Sequence, residues 1–174
     1  MARLRKFVAY RNLERPYTRK SKFKKKSYVK ANPVCRIGKF HTGNTRKEFE
    51  YRFDLISKDA LQIRDNALES ARLSANRIMI KKVGRLNYHL VVRIYPHHIL
   101  REHALASGAG ADRFSTGMSR SFGKPTGVAA QVRKGQVLYS LHVNKPNIEI
   151  ARKAINQSKY KLPCSCKIEL NKND

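Results

Sequence analysis

The sequence predicts an α+β fold: a small antiparallel or mixed sheet packed by two helices as an α/β sandwich, with an extended basic N-terminal arm and a long glycine-rich loop. Two segments carry apolar residues at helical spacing, and several shorter ones have the alternation or the β-branched and aromatic content of strands. The 174 residues fit one domain. We therefore divide the chain into a basic extension at residues 1–47 and a single globular domain at residues 48–174, which contains the glycine-rich loop at residues 104–127.

The first helix is predicted from residue 57 to about residue 82. Ser57 is a favourable N-cap, and Asp59 places a negative charge in the first turn, where the helix dipole favours it. Gly84 is suited to end the helix. Its mostly apolar face consists of Leu61, Arg64, Leu68, Ala71, Ala75, Ile78 and Met79.

Strands are predicted in the middle of the chain. Residues 88–95 are rich in β-branched and aromatic residues, and Pro96 ends this strand. Residues 99 to about 105 fit either a strand or the start of a helix. In residues 128–143, apolar residues occur at every second position on both sides of Lys134-Gly135. This pattern predicts a hairpin that turns at this pair.

A second helix is predicted from about residue 147 to residue 160. Pro146 suits its first turn, and the Leu162-Pro163 pair follows its end. Residues 167–170 fit one last strand. The narrow buried face of the helix consists of Ile148, Ala151, Ala154, Ile155 and Ser158.

Positive charge is the dominant feature of the composition. The chain has 38 Lys and Arg residues against 12 Asp and Glu, a net charge of +26, and residues 1–47 contain 16 of these bases and a single acid, Glu14. Such an excess favours a polyanionic partner, with nucleic acid ahead of an anionic membrane surface. Binding to a membrane surface would require a basic amphipathic helix, and the most basic stretch lacks apolar residues at helical spacing. No apolar run approaches the roughly 20 residues of a membrane span, and no secretory signal is expected.

The N-terminal arm is the first candidate nucleic-acid-binding segment. Its Lys and Arg side chains can neutralise phosphates, whereas a solvated disordered tail is the alternative. Tyr17, Phe23 and Tyr28 alternate with the bases, and each ring fits either stacking on an unpaired base or anchoring on the protein's own core. The predicted RNA-binding residues are Arg3, Arg5, Lys6, Arg11, Arg15, Tyr17, Arg19, Lys20, Lys22, Lys24, Lys25, Lys26 and Lys30.

The glycine-rich loop at residues 104–127 is the second candidate. It holds five of the nine glycines, and glycine lets backbone amides approach a phosphate closely. A surface loop without function is the alternative. The loop is not a P-loop, because Gly117 and Gly123 are one residue too far apart and Pro125 stands where Ser or Thr is needed after Lys124.

Catalytic and metal centres are not predicted. Cys35, Cys164 and Cys166 are interpreted as free thiols of a reducing compartment, since three cysteines cannot all pair within one chain. His97 and His98 are adjacent, so in an extended segment they point to opposite faces and do not share an ion. Paired carboxylates and a Ser/His/Asp set are also lacking, so we expect no cofactor, no metal and no small-molecule substrate.

Motifs along nearly the whole chain resemble a universal family of large-subunit ribosomal proteins, called L-sixteen in bacteria and L-ten-e in archaea and eukaryotes, and the length is most like archaeal members. The glycine loop carries the most specific match. The lysine-rich stretch at residues 22–30 and the Cys164-Ser-Cys166 sequence depart from the family pattern. The matching motifs are Tyr10-Arg11, Pro16-Tyr17-Thr18-Arg19, Gly43-Asn44, residues 69–77, Arg93 to His98, Gly110 to Arg113, Thr116 to Met118, Phe122 to Pro125, Gly135-Gln136-Val137 and residues 154–163.

The resemblance implies a non-enzymatic constituent of the cytoplasmic ribosome that binds large-subunit ribosomal RNA, neighbouring ribosomal proteins and tRNA. It implies a position beside the tRNA elbow and acceptor arm, with the glycine loop directed toward the peptidyl transferase centre. By this likeness Arg101, Arg113, Arg120 and Lys124 face RNA or tRNA. A free-standing RNA-binding or RNA-chaperone protein is the alternative, and an RNA-modifying enzyme is a second rival.

Overall fold

The structure is a computed structural model that describes residues 4–13, 23, 25, 33–103 and 123–173. Eight strands and two α-helices lie in these residues. The strands are β1 His41–Gly43, β2 Tyr51–Ser57, β3 Leu61–Arg64, β4 Tyr88–Val92, β5 His98–Glu102, β6 Lys124–Val132, β7 Val137–Val143 and β8 Cys166–Lys172. The helices are α1 Asp65–Lys82 and α2 Ile148–Lys159. The α+β prediction is confirmed.

The strands form two antiparallel sheets rather than the single predicted sheet. The five-stranded sheet has the order β1-β4-β7-β2-β8, and the three-stranded sheet has the order β3-β6-β5. Consecutive strands are therefore often in different sheets, which links the two sheets through short turns.

One continuous core lies between the two helices and the two sheets. Helix α1 packs against β3, β6, β4 and α2, while α2 packs against β2 and β7. The Tyr139 hydroxyl in β7 donates a 2.7 Å hydrogen bond to the Leu68 carbonyl in α1, so the larger sheet and the first helix are also joined by a buried polar contact. The helices in the described part of the chain lack the length and apolar character needed to cross a bilayer.

The prediction that the first helix begins at Ser57 is wrong. Ser57 ends β2, and its hydroxyl donates to the Asp59 carbonyl in the turn that leads to β3. The helix begins at Asp65, whose buried carboxylate accepts the backbone N–H of Arg36 (3.0 Å) and of Asn66 (2.8 Å). A carboxylate at this position is stabilised by the positive end of the helix dipole.

The predicted hairpin at residues 128–143 is also wrong. The two strands exist and Gly135 is in the turn with a φ of +82°, but β6 pairs with β3 and β5, whereas β7 pairs with β2 and β4. At the turn, backbone hydrogen bonds join Gly135 and Gln136 to Ser57 of β2. The chain therefore passes from one sheet to the other at this point.

The remaining elements agree with the sequence in part: strands β1 and β2 were not predicted, and the strand predicted at residues 88–95 ends at Val92. The segment from residue 99 to about residue 105, left open above, begins in strand β5, and its residues 104 and 105 lie outside the described residues. Helix α2 and strand β8 fall where they were predicted. Gly84 follows the end of α1 with a φ of +85°, and its N–H donates to the Met79 carbonyl. Both ends of the predicted arm contact the globular part: residues 4–13 pack on the small sheet, and β1 pairs with β4. The division at residue 47 stays a prediction.

We predict that alanine at Gly43 is more damaging than alanine at Gly135. Both glycines have positive φ, which costs roughly 1–2 kcal/mol for a residue with a Cβ atom. At Gly43 the added Cβ would also collide with the Tyr88 carbonyl oxygen, whereas at Gly135 it would meet open space. Urea unfolding of the purified variants should therefore show a much larger loss of unfolding free energy for G43A. Equal losses would show that β1 shifts to relieve the collision.

Candidate nucleic-acid interface

The root of the N-terminal arm lies on the outer face of the three-stranded sheet. The inner face of that sheet packs on α1, and the opposite face is covered by Leu4 and Tyr10. Tyr10 is buried with Leu100 and Ala129. Leu4 lies against Gly127, and a Cβ atom added to Gly127 would be 3.4 Å from Leu4 Cδ2. This apolar contact fixes where the arm leaves the globular part.

Hydrogen bonds continue the attachment along β3. The Gln62 backbone N–H donates to the Arg11 carbonyl (3.0 Å), and its side-chain amide donates to the Asn12 carbonyl. Arg64 Nη1 donates to the Arg5 carbonyl at 3.0 Å. These bonds hold residues 4–13 through their backbone carbonyls, and the side chains of Arg5, Lys6 and Arg11 lie exposed at the surface.

The root of the glycine-rich loop lies at the same place. Strands β5 and β6 are antiparallel neighbours, with Glu102 opposite Lys124, so the chain leaves and re-enters the sheet at adjacent positions. Arg5 Nε is 2.8 Å from Glu102 Oε1, which joins the arm directly to the last residue of β5. The structure therefore brings together two basic segments that are about 100 residues apart in the sequence.

Six of the predicted RNA-binding residues are in the described part of the chain. Arg5, Lys6, Arg11, Lys25 and Lys124 are exposed, and Arg101 is half-buried. The Arg11 guanidinium lies 5.5 Å from the centre of the Phe7 ring. Outside the described residues lie Arg3, Arg15, Tyr17, Arg19, Lys20, Lys22, Lys24, Lys26, Lys30, Arg113 and Arg120.

Arg64 is a basic residue of this region that the sequence analysis did not single out as RNA-binding. It was assigned to the apolar face of a helix, whereas it is the half-buried residue that ends β3 beside the arm. Arg72 has a different role, because it is buried against Glu69 and Thr42 inside the fold. The hydrogen bond with Glu69 raises the pKa of Arg72 further, so this charge serves the protein's own structure.

The histidines and cysteines show no metal centre in the described residues. His97 is exposed, whereas His98 is buried and bonded through Nδ1 to the Gln131 amide at 3.0 Å, so the prediction of opposite faces is confirmed. Cys164 Sγ and Cys166 Sγ are 3.5 Å apart as free thiols. Their hydrogen bond lowers the pKa of Cys164 and raises that of Cys166.

Comparisons with known proteins agree with the family resemblance. Residues 15–169 match the family model described as ribosomal protein L16p/L10e. The large ribosomal subunit protein uL16 of Archaeoglobus fulgidus is 45% identical over 163 residues, which are 94% of this chain and 90% of that protein. The uL16 proteins of Methanococcus aeolicus and Picrophilus torridus are 43% and 41% identical, over 97% and 86% of this chain and 95% and 85% of their own lengths.

We predict that Tyr10→Ala releases residues 4–13 from the small sheet. The burial of such a side chain contributes about 1.5–3 kcal/mol, so the opening equilibrium should shift by roughly 10- to 150-fold. The probe is the backbone N–H of Gln62, which donates to the Arg11 carbonyl. Its hydrogen exchange should become faster by that factor. Val8→Ala is the control, because Val8 is 69% exposed. Unchanged exchange in Y10A would mean that the hydrogen bonds alone hold the segment.

Proposed function

The chain belongs to the ribosomal protein L16p/L10e family, and we propose that it is a structural constituent of the large ribosomal subunit that binds ribosomal RNA. The observation that carries the proposal is the convergence of the arm and the glycine loop at Arg5, Glu102 and Lys124. This convergence concentrates predicted phosphate contacts at one end of the fold. The partners are ribosomal RNA and the neighbouring proteins of the subunit.

The proposed mechanism is neutralisation of phosphates combined with recognition of RNA shape. Contacts to phosphate fix position and orientation without reading sequence, and folded RNA helices hide their base edges in a deep groove. The exposed cations at Arg5, Lys6 and Arg11 suit such contacts. In this role the chain carries out no chemistry of its own and needs no cofactor, because it holds in place RNA groups that do the chemistry.

We further propose that the glycine loop supports tRNA positioning near the peptidyl transferase centre. Arg101 and Lys124 stand at its root, and Arg113 and Arg120 are its other basic residues proposed to face RNA or tRNA. Support comes from the family resemblance and from the position of the loop root outside the core. The arm residues would thread ribosomal RNA and anchor the protein in the subunit.

Substitutions in the loop should affect translation without affecting incorporation of the chain into the subunit. In an archaeal host that carries a tagged copy, the wild-type chain should sediment with large subunits and resist a moderate salt wash. The double variant R113A/R120A should incorporate equally well but lower the rate of translation, since we propose that both side chains face RNA or tRNA and have no part in folding. Failure of the double variant to incorporate would make these arginines assembly contacts. A wild-type chain found only in light fractions would favour the free-standing RNA-binding protein.

RNA affinity should depend steeply on salt. If about ten phosphates are neutralised, the log–log slope should be on the order of −7 to −9 in a filter-binding titration with large-subunit RNA. The triple variant R5A/K6A/R11A should make the slope shallower by about 2–3. The matched control K81A/K82A/K153A removes the same charge from exposed positions on the two helices and should change the slope less. Equal changes would mean that total charge, and not the arm, determines binding.

A further inference from the structure

The open face of the five-stranded sheet carries a row of three histidines. The helices cover the opposite face of this sheet, while His41 of β1, His89 of β4 and His142 of β7 lie side by side on the open one. The ring centres of His41 and His89 are 5.4 Å apart and those of His89 and His142 are 5.6 Å apart, with interplanar angles of 20° and 24°. His41 Nδ1 is also within 3.1 Å of His89 Nε2. We name these three residues the histidine ladder.

The ladder lines an open pocket of about 570 Å³. Val91 and Phe49 are buried at 5% exposure, so the apolar residues of the pocket are already covered by the fold. Glu48 and Glu50 supply carboxylate acceptors, and Arg93 and Lys47 supply cations. The pocket therefore combines flat rings, hydrogen-bond acceptors and positive charges without an exposed large apolar side chain among its lining residues.

Two rings of the ladder, those of His89 and His142, are neutral at neutral pH because the protein lowers the pKa of each. Burial lowers the pKa of His142 to about 4, and the neighbouring His89 and Arg93 act in the same direction. Burial also lowers the pKa of His89, with further contributions from His41 and Arg93. Neutral imidazoles offer one donor and one acceptor each and stack without charge repulsion.

A partly buried network fixes two arginines beside the ladder. Asp54 accepts hydrogen bonds from Arg52 Nε (2.8 Å), Ser140 Oγ (2.6 Å) and Asn171 Nδ2 (3.2 Å), and Arg93 Nε donates to Ser140 Oγ at 3.0 Å. Each arginine uses Nε in these bonds. Their terminal amino groups, which suit a phosphate, take no part in the network.

We propose that the histidine ladder binds an unpaired base of RNA, with His41 as the stacking ring and Arg93 beside the adjoining phosphate. This inference rests on the proposed function, because the RNA is supplied by the subunit. RNA-binding sheets use the same arrangement, in which helices cover one face and aromatic rings on the other stack with splayed-out bases. His41 is exposed on the edge strand β1, so the ring of a base can stack on the His41 end of the ladder.

Base recognition fits this face better than a protein contact or a phosphate alone. Protein interfaces have an apolar core, which the pocket lacks. The carboxylates of Glu48 and Glu50 repel phosphate but accept hydrogen bonds from the exocyclic amino groups of bases. The site therefore adds base contact to a chain whose other predicted RNA contacts are electrostatic.

The test compares His41→Ala with His41→Phe in the full chain. With large-subunit RNA as the probe, H41A should bind about 5- to 150-fold more weakly, the range for loss of one stacked base, whereas H41F should stay within about 3-fold of the wild type. The salt slope of H41A should equal that of the wild type because stacking releases no counterions, whereas R93A should make the slope shallower by about 0.7–0.9. Affinity for a fully paired RNA duplex should not change in H41A. Ultraviolet cross-linking of the wild type, which needs no variant, should attach a nucleotide to the peptide that contains His41.

Three results would overturn the inference. The first is that H41A binds RNA as tightly as the wild type, while the affinity of the wild type depends steeply on salt. The second is that H41F loses as much affinity as H41A, which would exclude stacking. H41A could also keep its RNA affinity but fail to enter subunits, which would assign the face to a neighbouring protein. A wild-type chain that does not bind the RNA at all would instead contradict the proposed function, so the two failures are distinguishable.

Discussion

The candidate interface depends on the packing of Leu4 and Tyr10 against the outer face of the three-stranded sheet. The ion pair between Arg5 and Glu102 cannot replace this contact, because the Arg5 side chain is 59% exposed and exposed pairs contribute at most about 1 kcal/mol. Burial of one aromatic side chain contributes more than that. Apolar packing therefore positions the basic segments, and electrostatics acts at the surface that the packing creates.

The acidic residues explain why the positive charge remains available to a partner. Most of them in the described part of the chain have an internal partner: Asp54, Asp59, Asp65, Glu69, Glu102 and Glu169 bond to basic side chains or backbone N–H groups. With only 12 acids in the whole chain, these pairs leave most of the 38 bases without a counter-charge from the protein itself. A polyanionic partner can supply the missing negative charge, because most of the described carboxylates are used in contacts within the fold.

Local patterns predicted α2 and strands β4, β6, β7 and β8, but they missed β1, β2 and β3 and did not predict which strands pair. Helix α2 has a clear helical repeat. Gly84 ends α1 because, without a Cβ atom, it adopts at little cost the left-handed conformation that closes the last turn. Leu61 and Arg64 were assigned to the face of a helix because their spacing to Leu68 fits a helical repeat, whereas both lie in strand β3. The pairing of β6 and β7 with different sheets is set by strands distant in sequence, so the alternation around Lys134-Gly135 could not distinguish it from a hairpin.

The same limit applies to the two candidate sites. A cluster of bases near the N-terminus is visible in the sequence because charge accumulates locally, and residues 1–47 show it directly. The histidine ladder is invisible there, since His41, His89 and His142 come from three separate strands and meet only through sheet register. The two surfaces are also chemically different: one is cationic and suits phosphate, whereas the other combines histidine rings with charges of both signs and suits a base. Phosphate contacts position a protein on RNA and base contacts select a site, so a fold that holds the two on different sheets can do each independently.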